Sequence, residues 1–224
     1  MKKLALLLAL IVSPFIFAQK SSVLGDFNTM GVFDQIQLTL VPSDTQKIEI
    51  EGTNADNVNV VNKNGNLKIK MNFVKSLQGE GIKVTLFYKN LTEILADEGA
   101  SIKTTAPIKA TKLDVTAKNG ATIVAEIDTE RVDVKAGSGS VVKLSGKAAV
   151  QDIVSNSGAE IKNKKLLTNQ TTVTVNAGGQ ADVYASELVD AKTRAGGSIT
   201  IYGNPKNVTE KNVLGGTVKK VTNE

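Results

Sequence analysis

The residues with the clearest capacity for chemistry recur at a fixed spacing. Asp114, Asp133 and Asp152 follow one another at intervals of 19 residues. Carboxylates stacked in this way could bind a hard divalent cation, since calcium takes several carboxylate oxygens. The alternative is a solvated face on which basic neighbours balance the acids. Those basic neighbours are Lys112, Arg131 and Lys135.

An aromatic pair recurs in the same manner. Tyr184 and Tyr202 each stand six residues after a glycine, Gly178 and Gly196 respectively. If both rings face outward, they predict a stacking strip for a sugar or an aromatic group, and the alternative is a core or corner pair. The other aromatic residues after residue 18 are Phe27, Phe33, Phe73, Phe87 and Tyr88. Several of these seven aromatic residues are expected in the core.

The composition excludes many enzyme classes. The 224 residues include no Cys, no His and no Trp. This excludes a thiol nucleophile, an imidazole base, a thiolate or imidazole zinc site and a disulfide framework. Only Arg131 and Arg194 are arginines, which argues against nucleic acid as a partner. We predict no cofactor and no firm metal site.

Catalysis by carboxylates remains open as an alternative. Polysaccharide lyases and hydrolases use acidic clusters, and some of them have the parallel β-helix fold that the repeats described below predict for this chain. Asp97 and Glu98, with Lys103 and Lys118 nearby, could be arranged in that way. Adjacent residues of a strand face opposite ways, so Asp97 and Glu98 could cooperate only if they lie in a bend. We therefore predict a protein that is not an enzyme.

Residues 1–18 are typical of a secretory signal peptide. Lys2 and Lys3 precede a short apolar run, and Ala18 supplies the small residue expected at a cleavage site. Removal of these residues takes away two lysines and no acid, so the formal net charge falls from +5 to +3. No later segment is apolar enough to predict a transmembrane helix. We expect export through the inner membrane to the periplasm, the outer-membrane surface or the extracellular space.

A repeat of about 20 residues dominates the remaining sequence. We call its marker residues the turn glycines: Gly99, Gly120, Gly139, Gly158, Gly178, Gly196 and Gly215. An apolar residue lies three positions after every turn glycine, and another lies five positions before all but the last, where Glu210 stands. The residue directly after each turn glycine is Ala, Ser or Gly. Alternation with period two and many Val, Ile and Thr residues predict short strands.

A parallel β-helix explains these features together. Each rung would bend at a glycine with positive φ, and the small residue after it would fit a narrow corner between rungs. The main alternative, a leucine-rich repeat, requires a Leu and Asn pattern and a helical back, and the sequence has neither.

The chain before the repeats follows a different pattern. Residues 23–90 alternate without the 20-residue period, and Val58 to Met71 resembles a hairpin around Asn64 and Gly65. We interpret residues 23–90 as irregular first rungs or a cap, and residues 91–220 as regular repeats, within one domain of residues 19–224. Pro205 and the tail at 219–224 are expected to close the other end.

Particular segments resemble the head GIN domain family of autotransporter adhesins, which is common in Bacteroidetes. They are the opening strand with Phe33, Ile36 and Leu38, the segment 48–52, and the closing sequence 196–205 with 215–218. The resemblance covers about residues 23–220. It implies a right-handed parallel β-helix on an exported protein with an adhesin-like role, and it brings no catalytic motif.

These observations lead to one expectation for fold and three for function. The fold is an all-β, single-stranded right-handed parallel β-helix with about seven rungs and an irregular N-terminal part. The leading function is a non-enzymatic surface or envelope protein that binds a glycan or a protein through one solenoid face. The alternatives are a carbohydrate-active β-helix enzyme and a self-associating structural module.

Overall fold

Stacked parallel strands around one apolar core make up residues 19–221, the part of the protein that the computed structural model describes. The predicted signal peptide, residues 1–18, lies outside the described residues. Between residues 19 and 221 there is no α-helix, and the regular elements are strands and two short 3-10 turns. This confirms the all-β prediction.

The strands divide into an irregular N-terminal set and a regular set. The first set is β1 (Gln19–Val23), β2 (Thr29–Val32), β3 (Gln37–Pro42), β4 (Lys47–Glu51), β5 (Val58–Lys63), β6 (Asn66–Met71) and β7 (Lys83–Tyr88), with 3-10 turns at Ala55–Asn57 and Phe73–Lys75. The second set begins with β8 (Glu93–Ala96), β9 (Ser101–Thr104), β10 (Ile108–Ala117), β11 (Thr122–Ala136), β12 (Val141–Ser155) and β13 (Glu160–Lys162). It continues with β14 (Lys165–Asn176), β15 (Gln180–Tyr184), β16 (Leu188–Arg194), β17 (Ser198–Tyr202), β18 (Asn207–Val213) and β19 (Thr217–Lys220).

The N-terminal rungs are stacked out of sequence order. β2 and β3 pair in parallel with β6 and β7 on one side and with β8 and β9 on the other. Beyond them β4 pairs antiparallel with β7, β1 with β4, and β5 with β6, so antiparallel strands end the parallel stack here. The predicted hairpin at Asn64 and Gly65 is confirmed, with φ values of 52° and 79°.

The regular rungs keep the predicted register. The apolar residues three positions after the turn glycines pair rung to rung from Ile102 to Val218. The residues five positions before them pair in the same way, from Ile94 to Glu210. Both columns face inward and bury their aliphatic side chains along most of the solenoid, which confirms a solenoid of about seven turns.

Each turn glycine lies in a tight turn where two successive residues have positive φ. The turn glycines have φ between 68° and 83°, as predicted. The residue before each of them, for example Asn119 or Ser138, has φ between 47° and 56°. Positive φ at both central residues is the geometry of a type I′ turn. In this repeat only the second of the two residues is always glycine.

The size of the residue in the corner after each turn depends on the size of the residue in the rung below it. Ser140, on one rung, donates from Oγ to the carbonyl of Ala117 on the rung below, at 2.9 Å. In later rungs the lower residue is larger and the corner residue is glycine. A Cβ added at Gly197 would lie 2.6 Å from Val175 Cγ1, and one at Gly179 would lie 2.6 Å from Ser155 Oγ. The prediction of a narrow corner is therefore confirmed.

A middle face exists in only some of the rungs. β10, β11, β12 and β14 are long because each continues through residues of this face, at 108–110, 127–129, 146–148 and 165–168. In the next rung only residues 185–187 separate β15 from β16. The inner space therefore narrows near the end of β15.

The last rung places polar side chains at inward positions. Glu210 continues the column of Ala191, and Lys220 continues the column of Ile201. Glu210 Oε1 and Lys220 Nζ lie 3.3 Å apart, so the exception in the repeat is one half of an ion pair. This pair ends these two columns in the last described rung. Residues 222–224 of the expected closing tail lie outside the described part.

Candidate functional site

The predicted acidic column is brought together by parallel register. Asp114 pairs with Asp133, and Asp133 pairs with Asp152, on the outer surface of β10, β11 and β12. Lys112 Nζ lies 3.1 Å from Asp114 Oδ1 and 2.9 Å from Asp133 Oδ2. Arg131 Nε lies 2.9 Å from Asp133 Oδ1, and its Nη2 pairs with Asp152. The column is therefore an alternation of acids and bases.

The electrostatics of Asp133 follow from these partners. Partial desolvation acts to raise its pKa, but hydrogen bonds from Lys112 and Arg131 and their charges outweigh it, so the pKa lies below the ordinary value. In residues 19–221 no group of three or more acids has a geometry suited to a metal ion. A cation at Asp114, Asp133 and Asp152 stays a prediction, and the ion pairs favour the charge-balanced alternative.

The two tyrosines lie side by side on an outer surface. Tyr184 at the end of β15 pairs in parallel with Tyr202 at the end of β17. Both rings are partly exposed, whereas Val183 and Ile201 before them are buried, so the rings face outward. Lys164 Nζ lies 6.0 Å from the centroid of the Tyr202 ring. The outward-facing geometry that a stacking strip needs is thus present.

Gly203 makes room for the first ring. Its φ is +90°, and a Cβ there would lie 2.8 Å from both Cε2 and Cζ of Tyr184. The Tyr184 ring therefore packs closely over the Gly203 backbone. A side chain at Gly203 would displace this ring, which links the glycine of the closing Tyr-Gly-Asn-Pro sequence to the aromatic strip.

A buried polar network fixes the backbone beneath the strip. The carbonyl oxygen of Tyr184 accepts hydrogen bonds from Gln151 Nε2 at 3.2 Å, from Thr171 Oγ1 at 2.9 Å and from Thr168 Oγ1. Asn163 Nδ2 donates to Gln151 Oε1 at 3.3 Å, and these side chains are almost fully buried. The network fills the place where the middle face ends. Polar residues at inward-facing positions of the repeat could have indicated this network from the sequence. Our sequence analysis did not use that signal.

A separate cleft lies beside the N-terminal hairpin. Its volume is about 490 Å³, and two phenyl rings, two lysines and two acids line it. These residues are Phe33, Phe73, Lys68, Lys70, Asp34 and Glu98. Phe73 has 97% of its surface exposed. Its neighbours Asn72 and Lys75 are polar, and that context could have indicated exposure.

Asp34 stabilises one wall of this cleft through hydrogen bonds. The residue is buried, and its carboxylate accepts hydrogen bonds from Met71 N, Leu77 N and Ser76 Oγ at 3.0, 2.8 and 2.9 Å. Three donors satisfy a buried carboxylate and fix the backbone around Phe73. Sequence periodicity carries no signal for such a role, because Asp34 lies outside the repeat.

Glu98 meets Asp34 across the cleft. Desolvation first, then the charges of Asp34 and Asp97, raise the pKa of the Glu98 carboxyl above its ordinary value. Asp97 Oδ1 accepts hydrogen bonds from Glu98 N and from Asn119 Nδ2, both at 2.8 Å. Asp97 and Glu98 do lie in a bend, but the Asp97 carboxylate stabilises the turn.

Comparison with known proteins is consistent with the fold and the sequence segments above. The sequence pattern of the family described as "Putative auto-transporter adhesin, head GIN domain" matches residues 26–205. The chain belongs to the head GIN domain family. A search of the curated proteins finds no match to this head GIN protein.

Solved structures share the head GIN fold at low identity. A protein from Bacteroides fragilis described as a putative adhesin is 19% identical with a TM-score of 0.85, over 93% of this chain and 98% of its own. One from Parabacteroides distasonis, also described as a putative adhesin, is 19% identical with a TM-score of 0.73, over 92% and 97%. One from Parabacteroides merdae with the same description is 18% identical with a TM-score of 0.70, over 92% and 96%. At these identities the likeness extends to the fold alone.

The family is of an adhesin type, which fits a surface or exported protein. Across residues 19–221 no helix has the length and apolarity that a membrane crossing requires.

Proposed function

We propose that this head GIN protein is an exported, non-enzymatic adhesin-type protein that binds a glycan on the surface carrying Tyr184 and Tyr202. The observation that carries the proposal is the in-register, outward-facing pair of tyrosine rings. Parallel strand spacing separates equivalent positions by about 4.8 Å, so the two rings form one short strip along the solenoid axis. Aromatic rings offer an apolar surface with a polar hydroxyl, which suits a sugar ring.

The surroundings of the strip support binding of a polar ligand. The outward residues of β15 and β17 beside the tyrosines are Gln180, Asp182, Ser198 and Thr200. They offer hydrogen-bond donors and acceptors next to an aromatic surface, which is the composition of many ligand sites. The network below Tyr184 holds its backbone in place, and a rigid site loses less entropy on binding.

The carboxylates of the cleft support the non-enzymatic assignment. Asp34 is bonded to three donors, and Oδ1 of Asp97 in the neighbouring turn is bonded to two, so both carboxylates serve to hold the local backbone and turn in place. Incubation with polyuronides and neutral polysaccharides tests this assignment. Product release that disappears in Glu98→Gln would replace the binding function with the enzyme alternative.

A glycan array followed by calorimetry tests the binding site. We expect Tyr184→Ala and Tyr202→Ala each to weaken the affinity for an array ligand at least about tenfold, as for an interface hot spot. Phe73→Ala is the matched control, because it removes an exposed aromatic ring at the other end of the solenoid and should leave the affinity unchanged. Binding that all three variants retain, or no binding to any glycan, would contradict the proposal.

Export is tested separately. The mass and N-terminal sequence of protein recovered from an exporting host should correspond to a chain that begins at or near Gln19. Recovery of a chain that still carries residues 1–18 would contradict the signal-peptide interpretation.

A further inference from the structure

An apolar tip projects from the N-terminal end of the solenoid. The 3-10 turn Phe73–Lys75 leaves Phe73 and Val74 with 97% and 80% of their surfaces exposed, and Leu77 follows with 52%. We call these three residues the apolar tip. Large apolar side chains clustered at this level of exposure are unusual on a soluble surface and mark an interaction site.

The tip is held rigidly in this exposed position. Asn72 Oδ1 accepts a hydrogen bond from Lys75 N at 3.1 Å, which caps the turn, and the buried Asp34 carboxylate binds Leu77 N and Ser76 Oγ. Leu77 has φ of +58°, a conformation that costs free energy for a side chain of this kind. The exposed apolar side chains are unfavourable in water, so an occupant that covers them would stabilise the tip.

The charge around the tip indicates the chemistry of the occupant. Residues 57–79, which form the β5–β6 hairpin and the tip, contain four lysines and no acid. They are Lys63, Lys68, Lys70 and Lys75. The ion pairs within residues 19–221 involve none of these four, and Lys68 and Lys70 line the cleft beside Phe73. The acids that line the cleft beside Phe73 are Asp34, which is bonded to backbone and hydroxyl donors, and Glu98. Asp56 and Glu80 directly flank residues 57–79.

We propose that the apolar tip and the lysines of residues 57–79 dock this protein on an anionic lipid surface. Phe73 and Val74 enter the boundary between headgroups and acyl chains, and the ammonium groups contact lipid phosphates. The tip is too small for a stable protein interface, which buries about 800 Å² on each partner. A short apolar insertion with a basic rim matches what a peripheral lipid contact requires.

Vesicle binding of a tryptophan reporter tests the docking directly. The chain has no Trp, so Phe73→Trp provides a single fluorophore at the tip. With vesicles of phosphatidylcholine and 30% phosphatidylglycerol, we expect its emission to move to shorter wavelength, and with pure phosphatidylcholine to move much less. An emission that vesicles leave unchanged would overturn the proposal. An emission that shifts with protein concentration alone would also overturn it and indicate a second copy as the occupant.

Cosedimentation of variants separates the apolar and charged contributions. The Phe73→Ser, Val74→Ser double variant should lower the partition coefficient at least about tenfold, and Lys68→Gln with Lys70→Gln about fivefold for each lysine. Leu167→Ser is the matched control, since Leu167 is 54% exposed on the middle face far from the tip. Equal binding by the wild type and the double variant would overturn the proposal. All variants share the same N-terminus, so any contribution of residues 1–18 cancels.

Discussion

Gly179→Ala tests whether corner size is set by the rung below. Gly179 does not have a positive φ, so alanine meets no backbone strain there. The added Cβ would lie 2.6 Å from Ser155 Oγ and 3.3 Å from both Cβ and O of Ser155. Ser155 Oγ is fully buried and donates to the Ala159 carbonyl at 2.9 Å, so it cannot move without losing that bond.

The expected cost follows from these contacts. Overpacking of a filled core, or loss of one buried hydrogen bond, costs about 1–3 kcal/mol. Replacing glycine by alanine restricts the unfolded chain and returns about 0.4–1 kcal/mol. We therefore expect Gly179→Ala to lower the free energy of unfolding by about 1–2 kcal/mol.

A double-mutant cycle identifies the cause. Ser155→Ala removes the atom nearest the new Cβ, while the Ala159 carbonyl keeps its hydrogen bond from Gln180 N at 2.9 Å. The double variant should regain about 1 kcal/mol relative to the sum of the single effects in urea unfolding. Strict additivity, or a Gly179→Ala variant as stable as the wild type, would refute the packing argument.

Three further substitutions probe the charged and polar groups. Glu98→Gln should raise the free energy of unfolding at pH 7 and have little effect below about pH 4, because the raised pKa of Glu98 beside Asp34 means that folding disfavours its ionised form; a difference that does not vary with pH would contradict this. Asp133→Asn should lower the free energy of unfolding at pH 7 by up to about 1 kcal/mol, and by less in about 1 M salt, which screens surface charges. The lowered pKa of Asp133 marks a carboxylate that stabilises the fold when it is ionised, and this stabilisation is lost as the pH falls through that pKa. Gln151→Leu should cost about 1–3 kcal/mol in urea unfolding and also weaken glycan binding, because it removes one of the three donors to the Tyr184 carbonyl and leaves the buried Asn163 Nδ2 without its acceptor; unchanged stability would show that the network is dispensable.

The regular rungs could be predicted from the sequence because one rule repeats in them. Turn glycines, inward Ile and Val residues and small corner residues each report a local constraint that recurs in every rung, and all three were confirmed. The register of Asp114 with Asp133 and of Tyr184 with Tyr202 followed from the same period.

The remaining features depend on contacts that occur once. Asp34 bonds Met71 and Leu77, more than 35 residues away, and no periodic pattern indicates such a partner. The sequence left open which of the aromatic residues lie in the core, so it did not predict the exposure of Phe73. Gln151 and Asn163 occupy inward positions that the pattern reserves for apolar residues, and their role appears only where the middle face ends.

The order of the stack has a consequence for how the chain folds. β2 and β3 come early in the chain, yet their two neighbours in the solenoid come from residues 66–88 and 93–104. The first parallel rungs therefore cannot form without residues up to 104, and forming them requires long chain loops to be ordered first. Each later rung then pairs with a rung that is already folded, so the solenoid folds from its N-terminal end towards its C-terminal end. A stop codon placed at a late turn glycine should leave a shorter folded solenoid, whereas deletion of residues 19–42 should leave every later rung without a starting surface.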